Sequence, residues 1–157
     1  MKVKDILHED FVNYKSPSMF IVFPSCTFKC ERESGVRCCQ NSGLANEKNK
    51  ELNPDDIAAA YASNPITKAV VFGGLEPFDS YNDMLFLIHA IRLRTKDPIV
   101  IYTGYNREEI SFRLDALRAY KNIIVKFGRY IPGEQPHYDD VLGVNLASDN
   151  QYAERIS

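Results

Sequence analysis

Met19-Phe20-Ile21-Val22-Phe23 is a continuous apolar run stopped by Pro24, and Ser25-Cys26-Thr27-Phe28-Lys29-Cys30 follows at once. Apolar residues in sequence without alternation are the pattern of a strand covered on both faces, as in a parallel sheet. The loop leaving the carboxyl end of this strand runs on to Asn41 and holds Cys26, Cys30, Cys38 and Cys39, which are all four cysteines of the chain. Thiols gathered at the end of a buried strand point to a metal site or a redox centre.

Outward from this stretch the same pattern recurs. Ala69-Val70-Val71-Phe72 reads as a second buried strand, broken by Gly73-Gly74; Pro98-Ile99-Val100-Ile101-Tyr102 reads as a third and Asn122-Ile123-Ile124-Val125 as a fourth. Helices fall between them. Asn53-Pro54-Asp55-Asp56 combines an N-cap asparagine, a first-turn proline and two acids at the positive end of the dipole, opening a helix to about Ala62, before Asn64-Pro65. Ser80 with Asp83 resembles a capping box ahead of Met84, Leu85, Leu87, Ile88 and Ile91, which share one helical face and leave His89 off it. Asn106 and Glu109 cap a third helix with Ile110, Leu114 and Leu117 inward. Strands alternating with helices at this spacing predict right-handed βαβ units in an α/β fold with a mainly parallel sheet. A site in such a sheet sits beyond the carboxyl ends of the strands. Residues 1–18 read as an irregular lead-in, and Leu142-Gly143-Val144-Asn145-Leu146 as a last short strand.

With 157 residues and 45% hydrophobic content, the chain suffices for one domain, 1–157, and is short for two. A net charge of −2 provides no broad positive field, which argues against nucleic-acid polymers and membrane surfaces as partners. No stretch reaches the roughly 18 continuous apolar residues of a membrane span. Met1-Lys2-Val3-Lys4-Asp5 is charged with no hydrophobic region after it, so the expected compartment is the cytoplasm.

That compartment disfavours disulfides, and adjacent Cys38 and Cys39 cannot both bridge easily within one short loop. Structural zinc wants paired knuckles or added histidines, whereas His8, His89 and His137 lie far off in sequence. A zinc-binding interaction domain is the non-enzymatic alternative. Three thiolates would instead hold a 4Fe-4S cube and leave one iron open to a bound molecule. Cys38 and Cys39 are adjacent candidates for the third position.

Cys26, three residues, Cys30, and then Cys39-Gln40-Asn41 resemble the cysteine loop of the radical S-adenosylmethionine (SAM) enzymes. The likeness is strongest to the activating proteins of anaerobic (class III) ribonucleotide reductases, whose third cysteine is soon followed by asparagine. Where the family pattern has two residues between the second and third cysteines, this chain has eight, Glu31 to Cys38. Phe72-Gly73-Gly74-Leu75-Glu76-Pro77 is similar to the family's Gly-Gly-acid-Pro stretch, with Leu75 inserted. Tyr102-Thr103-Gly104-Tyr105 resembles its Trp-Thr-Gly-Tyr segment; Ile124-Val125-Lys126-Phe127-Gly128-Arg129-Tyr130 resembles its Val-Asp-Gly-Lys-Phe region, with Lys126 in place of the acid. Ser148-Asp149-Asn150-Gln151 is similar to its terminal Ser-Ser-Asn-Gln.

The resemblance implies a small open partial (β/α) barrel, a 4Fe-4S cluster on Cys26, Cys30 and Cys39, and SAM contacts from Cys38, Gln40, Gly73, Gly74, Glu76 and Thr103. Cys39 is preferred as third ligand because Asn41 then keeps the family offset. The implied activity is reductive cleavage of SAM to a 5′-deoxyadenosyl radical and generation of a glycyl radical on a large partner, an anaerobic ribonucleotide reductase. An external donor such as flavodoxin or ferredoxin supplies the electron. Another glycyl-radical enzyme or a peptide is the alternative substrate. No protein acid or base is needed, since the cofactor carries the chemistry.

Overall fold

In the computed structural model, which describes residues 1–157, the chain forms β1 (Lys2–Val3), β2 (Asp5–Asp10), β3 (Ser18–Val22), α1 (Lys29–Ser34), β4 (Lys50–Glu51), α2 (Pro54–Ser63) and β5 (Ala69–Gly73). It continues through α3 (Tyr81–Arg92), β6 (Ile99–Tyr102), α4 (Ser111–Leu117), β7 (Ile123–Phe127), β8 (His137–Asp139), β9 (Val144–Leu146) and β10 (Tyr152–Arg155). An open six-stranded sheet in the order β10-β7-β6-β5-β3-β2 makes the centre. The expected α/β class and mainly parallel sheet are present: β3, β5, β6 and β7 are mutually parallel, while β2 and β10 run antiparallel along the two edges.

Because the parallel strands follow one another across the sheet in chain order, successive crossovers step in one direction and keep their helices on one face. The side-chain alternation of the strands bears this out. Met19, Ile21 and Phe23, Val70 and Phe72, Ile99 and Ile101, and Ile123, Val125 and Phe127 pack with the inward residues of α2, α3 and α4. The intervening positions face the other way, and there Ala69, Val71, Val100 and Ile124 meet Tyr14, Leu142 and Leu146. That second cover is a loop and the β8–β9 hairpin, which protects only part of the face. Above it, Phe20, Val22, Tyr102 and Lys126 are left to line a cleft.

Several sequence expectations change. Residues 1–18 are not an irregular lead-in, since β2 pairs with β3 through Ile6↔Ile21 and Leu7↔Phe20, and β1 pairs with β4. The strand expected near 142–146 belongs to a separate hairpin, and β10 closes the main sheet instead. The cysteine loop contains a helix, α1, that no apolar periodicity announces, for it buries no residue. Ser80 does not cap α3 with its side chain: its Oγ lies 3.2 Å from Ser25 Oγ, and Glu76 caps the preceding 3-10 turn by accepting from the Phe78 amide. At α2, by contrast, Asn53 Oδ1 accepts from the Asp55 amide at 3.0 Å as expected. His89 is on the exposed side of α3. No helix is long and apolar enough to cross a membrane.

Candidate metal centre

The strand β3 ends where its backbone hands over to two neighbours. Phe23 N donates to Gly73 O, and Ser25 O accepts from Glu76 N at 2.9 Å, so the cysteine loop and the glycine turn leave the sheet bound to each other. Thr27 N then donates to Asp79 Oδ2 at 2.7 Å, and Tyr105 donates its hydroxyl proton to Asp79 Oδ1 at the same distance. Phe28 adopts a left-handed conformation, φ 50°, and its amide donates to Cys26 Sγ at 3.2 Å. The loop is therefore tied at Ser25, Cys26 and Thr27 before α1 begins.

Cys26, Cys30 and Cys39 line a single cleft of about 600 Å³, together with Gln40, Asn41, Gly74, Glu76 and Thr103. All four thiols are free and half-buried. Cys38 does not line this cleft; its sulfur lies 3.4 Å from Ser34 Oγ. Gly73 is buried at the end of β5 and does not reach the cleft either. The geometry thus brings together seven of the nine residues singled out from sequence and leaves Cys38 and Gly73 apart.

Burial pushes the Cys26 thiol up to about 12 and the Cys30 thiol up to about 11. Without a bound cation these sulfurs keep their protons; a metal centre would supply the positive charge that a buried thiolate needs. No three His, Cys, Asp or Glu side chains converge on a point where a single ion would sit. Zinc requires such a point, whereas a cube takes each thiolate on a different iron, so three sulfurs spread around one cleft fit the cluster.

Both glycines have a packing reason for lacking a side chain. A Cβ on Gly73 would lie 2.9 Å from Phe20 Cζ, and one on Gly74 would lie 2.4 Å from Val22 Cγ1. The space beside them is filled by the chain's own side chains, so packing against β3 dictates glycine there, and only Gly74 also faces the cleft.

Glu76 is 6% exposed, with Oε1 accepting from Thr103 Oγ1 at 2.8 Å and from Phe78 N at 3.1 Å, while Oε2 accepts from Gly104 N at 2.8 Å. The carboxylate fastens the end of β6 to the glycine turn. Burial nonetheless raises it from 4.5 to about 7, against the pull of those donors. A raised carboxyl holds its proton more tightly in the folded chain, so its contribution to stability is present at acid pH and is lost as pH rises from 4.5 through 7. The shift corresponds to roughly 3 kcal/mol. Urea titrations of metal-free protein at both ends of that window should show Glu76→Gln flattening the profile by about this amount.

In the sequence, Lys126 stands out only as a lysine where the family segment has an acid. It is 6% exposed on the helix-free face, its Nζ donates to Gly128 O at 2.8 Å, and burial lowers it from 10.5 to about 7 although the Glu76 carboxylate opposes the shift. Its place was legible: alternation along β7 puts Ile124 and Lys126 on the same side, away from the helices.

The rim of this α/β sheet opens three free thiols onto one cleft, a donor set of the kind that thiolate-ligated metal centres use. The chain belongs to the 4Fe-4S single cluster domain family, whose model matches residues 18–147. No curated protein and no solved structure matches the chain.

Proposed function

We propose that the protein is a radical SAM activase of the kind that generates a glycyl radical on a partner anaerobic ribonucleotide reductase. The observation that carries this reading is the opening of Cys26, Cys30 and Cys39 onto the same cleft as Gly74, Glu76 and Thr103. Three thiolates satisfy three irons of a cube and leave the fourth for a ligand held by the glycine turn. A cluster held by Cys26, Cys30 and Cys39 would pass one electron from an external donor to SAM, whose sulfur–5′-carbon bond would break to give methionine and a 5′-deoxyadenosyl radical able to take a hydrogen atom from a glycine Cα.

The chain's own residues do the rest. Cys26, Cys30 and Cys39 hold the cluster, Gly74 and Gln40 offer backbone and amide contacts to SAM, and Glu76 positions Thr103 and Gly104 at the rim. Cys38, outside the cleft, faces the Ser34 hydroxyl and takes no part in the site. A half-apolar cleft shelters the reaction from water. The open side of the sheet admits the large partner, and flavodoxin or ferredoxin in the cytoplasm provides the electron.

Anaerobically reconstituted protein incubated with SAM and dithionite is expected to release 5′-deoxyadenosine and methionine in equal amounts. Cluster-loaded protein that leaves SAM intact would overturn the proposal.

A further inference from the structure

The cysteine spacer, Glu31 to Cys38, must bring Cys39 back to the cleft that Cys30 already faces. It does so with α1, whose last turn ends at Gly35 in the left-handed region, φ +71°, where the Gly35 amide donates to Glu31 O at 3.0 Å. A six-residue helix that buries nothing is not stable by itself. Charged contacts hold it instead. Lys29 is paired with Glu109, and Arg129, just past β7, places Nη2 2.6 Å from Glu109 Oε1 and Nε 3.0 Å from Glu33 Oε2. The Arg129 side chain is 8% exposed, and its Nε has no hydrogen bond, so Glu33 is the charge that faces it. From the same helix, Glu31 Oε1 accepts from the Cys39 amide at 3.1 Å.

We propose that the spacer helix is a clasp that positions Cys39: Arg129 and Glu109 grip α1 through Glu33 and Lys29, and Glu31 carries the third thiol into place. The clasp accounts for the lengthened spacer, since a longer connection adds little closure entropy and gains an anchor at Arg129, just past β7 on the same rim as the cysteines. Its role toward the cluster rests on the function proposed above; its role toward the thiol does not. Arg129 and Glu33 are positioning residues, acting through Cys39. Exposed ion pairs contribute little, but here one partner is a buried guanidinium, whose loss of a counter-charge is felt.

Glu33 does not line the cleft and its side chain is 51% exposed, so Glu33→Gln and Glu33→Ala should fold normally. Metal-free wild-type and variant proteins are treated with iodoacetamide, and alkylation is followed at each cysteine by mass spectrometry. Both variants are expected to raise the rate at Cys39 severalfold and leave Cys26, tied by the Phe28 amide and the Asp79 contact, unchanged. Asp115→Asn, which breaks the exposed pair with Arg118, serves as the control and should change neither. In reconstituted protein the same variants should lose iron to a chelator on the order of tenfold faster, with a broadened electron paramagnetic resonance signal of the reduced cluster. An unchanged Cys39 rate, or an equal rise at every cysteine, overturns the clasp. If wild-type protein takes up no iron, the cluster reading fails while the alkylation pattern still decides the clasp.

Discussion

Cys39→Ala should empty the metal centre, and Cys38→Ala should leave most of its iron in place. The two sulfurs are adjacent in sequence but not in environment: Cys39 lines the cleft with Cys26 and Cys30, whereas Cys38 turns to Ser34 outside it. Burial first, and then the neighbouring Cys39 and Cys38 sulfurs, raise the Cys30 thiol. Removing Cys39 leaves two facing thiols, too few to hold a cube against chelation. Iron and acid-labile sulfide, measured after anaerobic reconstitution, should fall from about four per chain to below about one in Cys39→Ala. A Cys38→Ala protein without iron, beside a loaded Cys39→Ala protein, would transfer the third position to Cys38.

Gly74→Ala should be among the most destabilising substitutions in the chain. At φ +80° an L side chain is strained, and its Cβ would stand 2.4 Å from Val22 Cγ1 and 3.3 Å from Val22 Cα. The left-handed backbone costs about 1–2 kcal/mol, and overpacking adds about 1–3 kcal/mol. Urea unfolding of metal-free protein should therefore show a loss of roughly 2–5 kcal/mol. Adding Val22→Ala removes the clash with Cγ1 but leaves both the backbone strain and the close approach to the Val22 main chain. The double variant is expected to recover about 1 kcal/mol relative to additivity. Strict additivity would show that Val22 is not what excludes the methyl group. Gly73→Ala should cost less, because the atom it meets is the far end of the Phe20 ring.

How far these features could be read in advance depended on burial. Strands β3, β5, β6 and β7 were legible because residues covered on both faces must be apolar, and the runs stand out against the polar segments between them. Asn53 was legible because its capping chemistry is local. Asp5–Asp10 and Tyr152–Arg155 escaped because an edge strand keeps much of its surface in water, and their side chains are mostly exposed or half-buried. The helix α1 escaped for a related reason, since Lys29-Cys30-Glu31-Arg32-Glu33-Ser34 carries charges that only distant Arg129 and Glu109 give meaning.

The site was half legible. Thiols announce their chemistry by type, so Cys26, Cys30 and Cys39 stood out as candidates, and the glycine turn did because it ends a strand on the same rim; the fold brings all three thiols and Gly74 to one cleft. What the turn's parts do was hidden. Glu76, expected as a SAM contact, also fastens the rim through Thr103 and Gly104, and Gly73, expected as another, packs against Phe20 outside the cleft. Both facts are tertiary: they depend on which side chain of a neighbouring strand occupies the adjacent space.

A cube gripped by three cysteines, with one iron left for SAM, is tested most directly by electron paramagnetic resonance of the reduced, anaerobically reconstituted protein. Adding SAM should change the signal of a protein carrying about four irons and four sulfides per chain. A signal indifferent to SAM would mean that no iron is open, and colourless protein with one zinc per chain would mean that the thiols serve a structural ion instead.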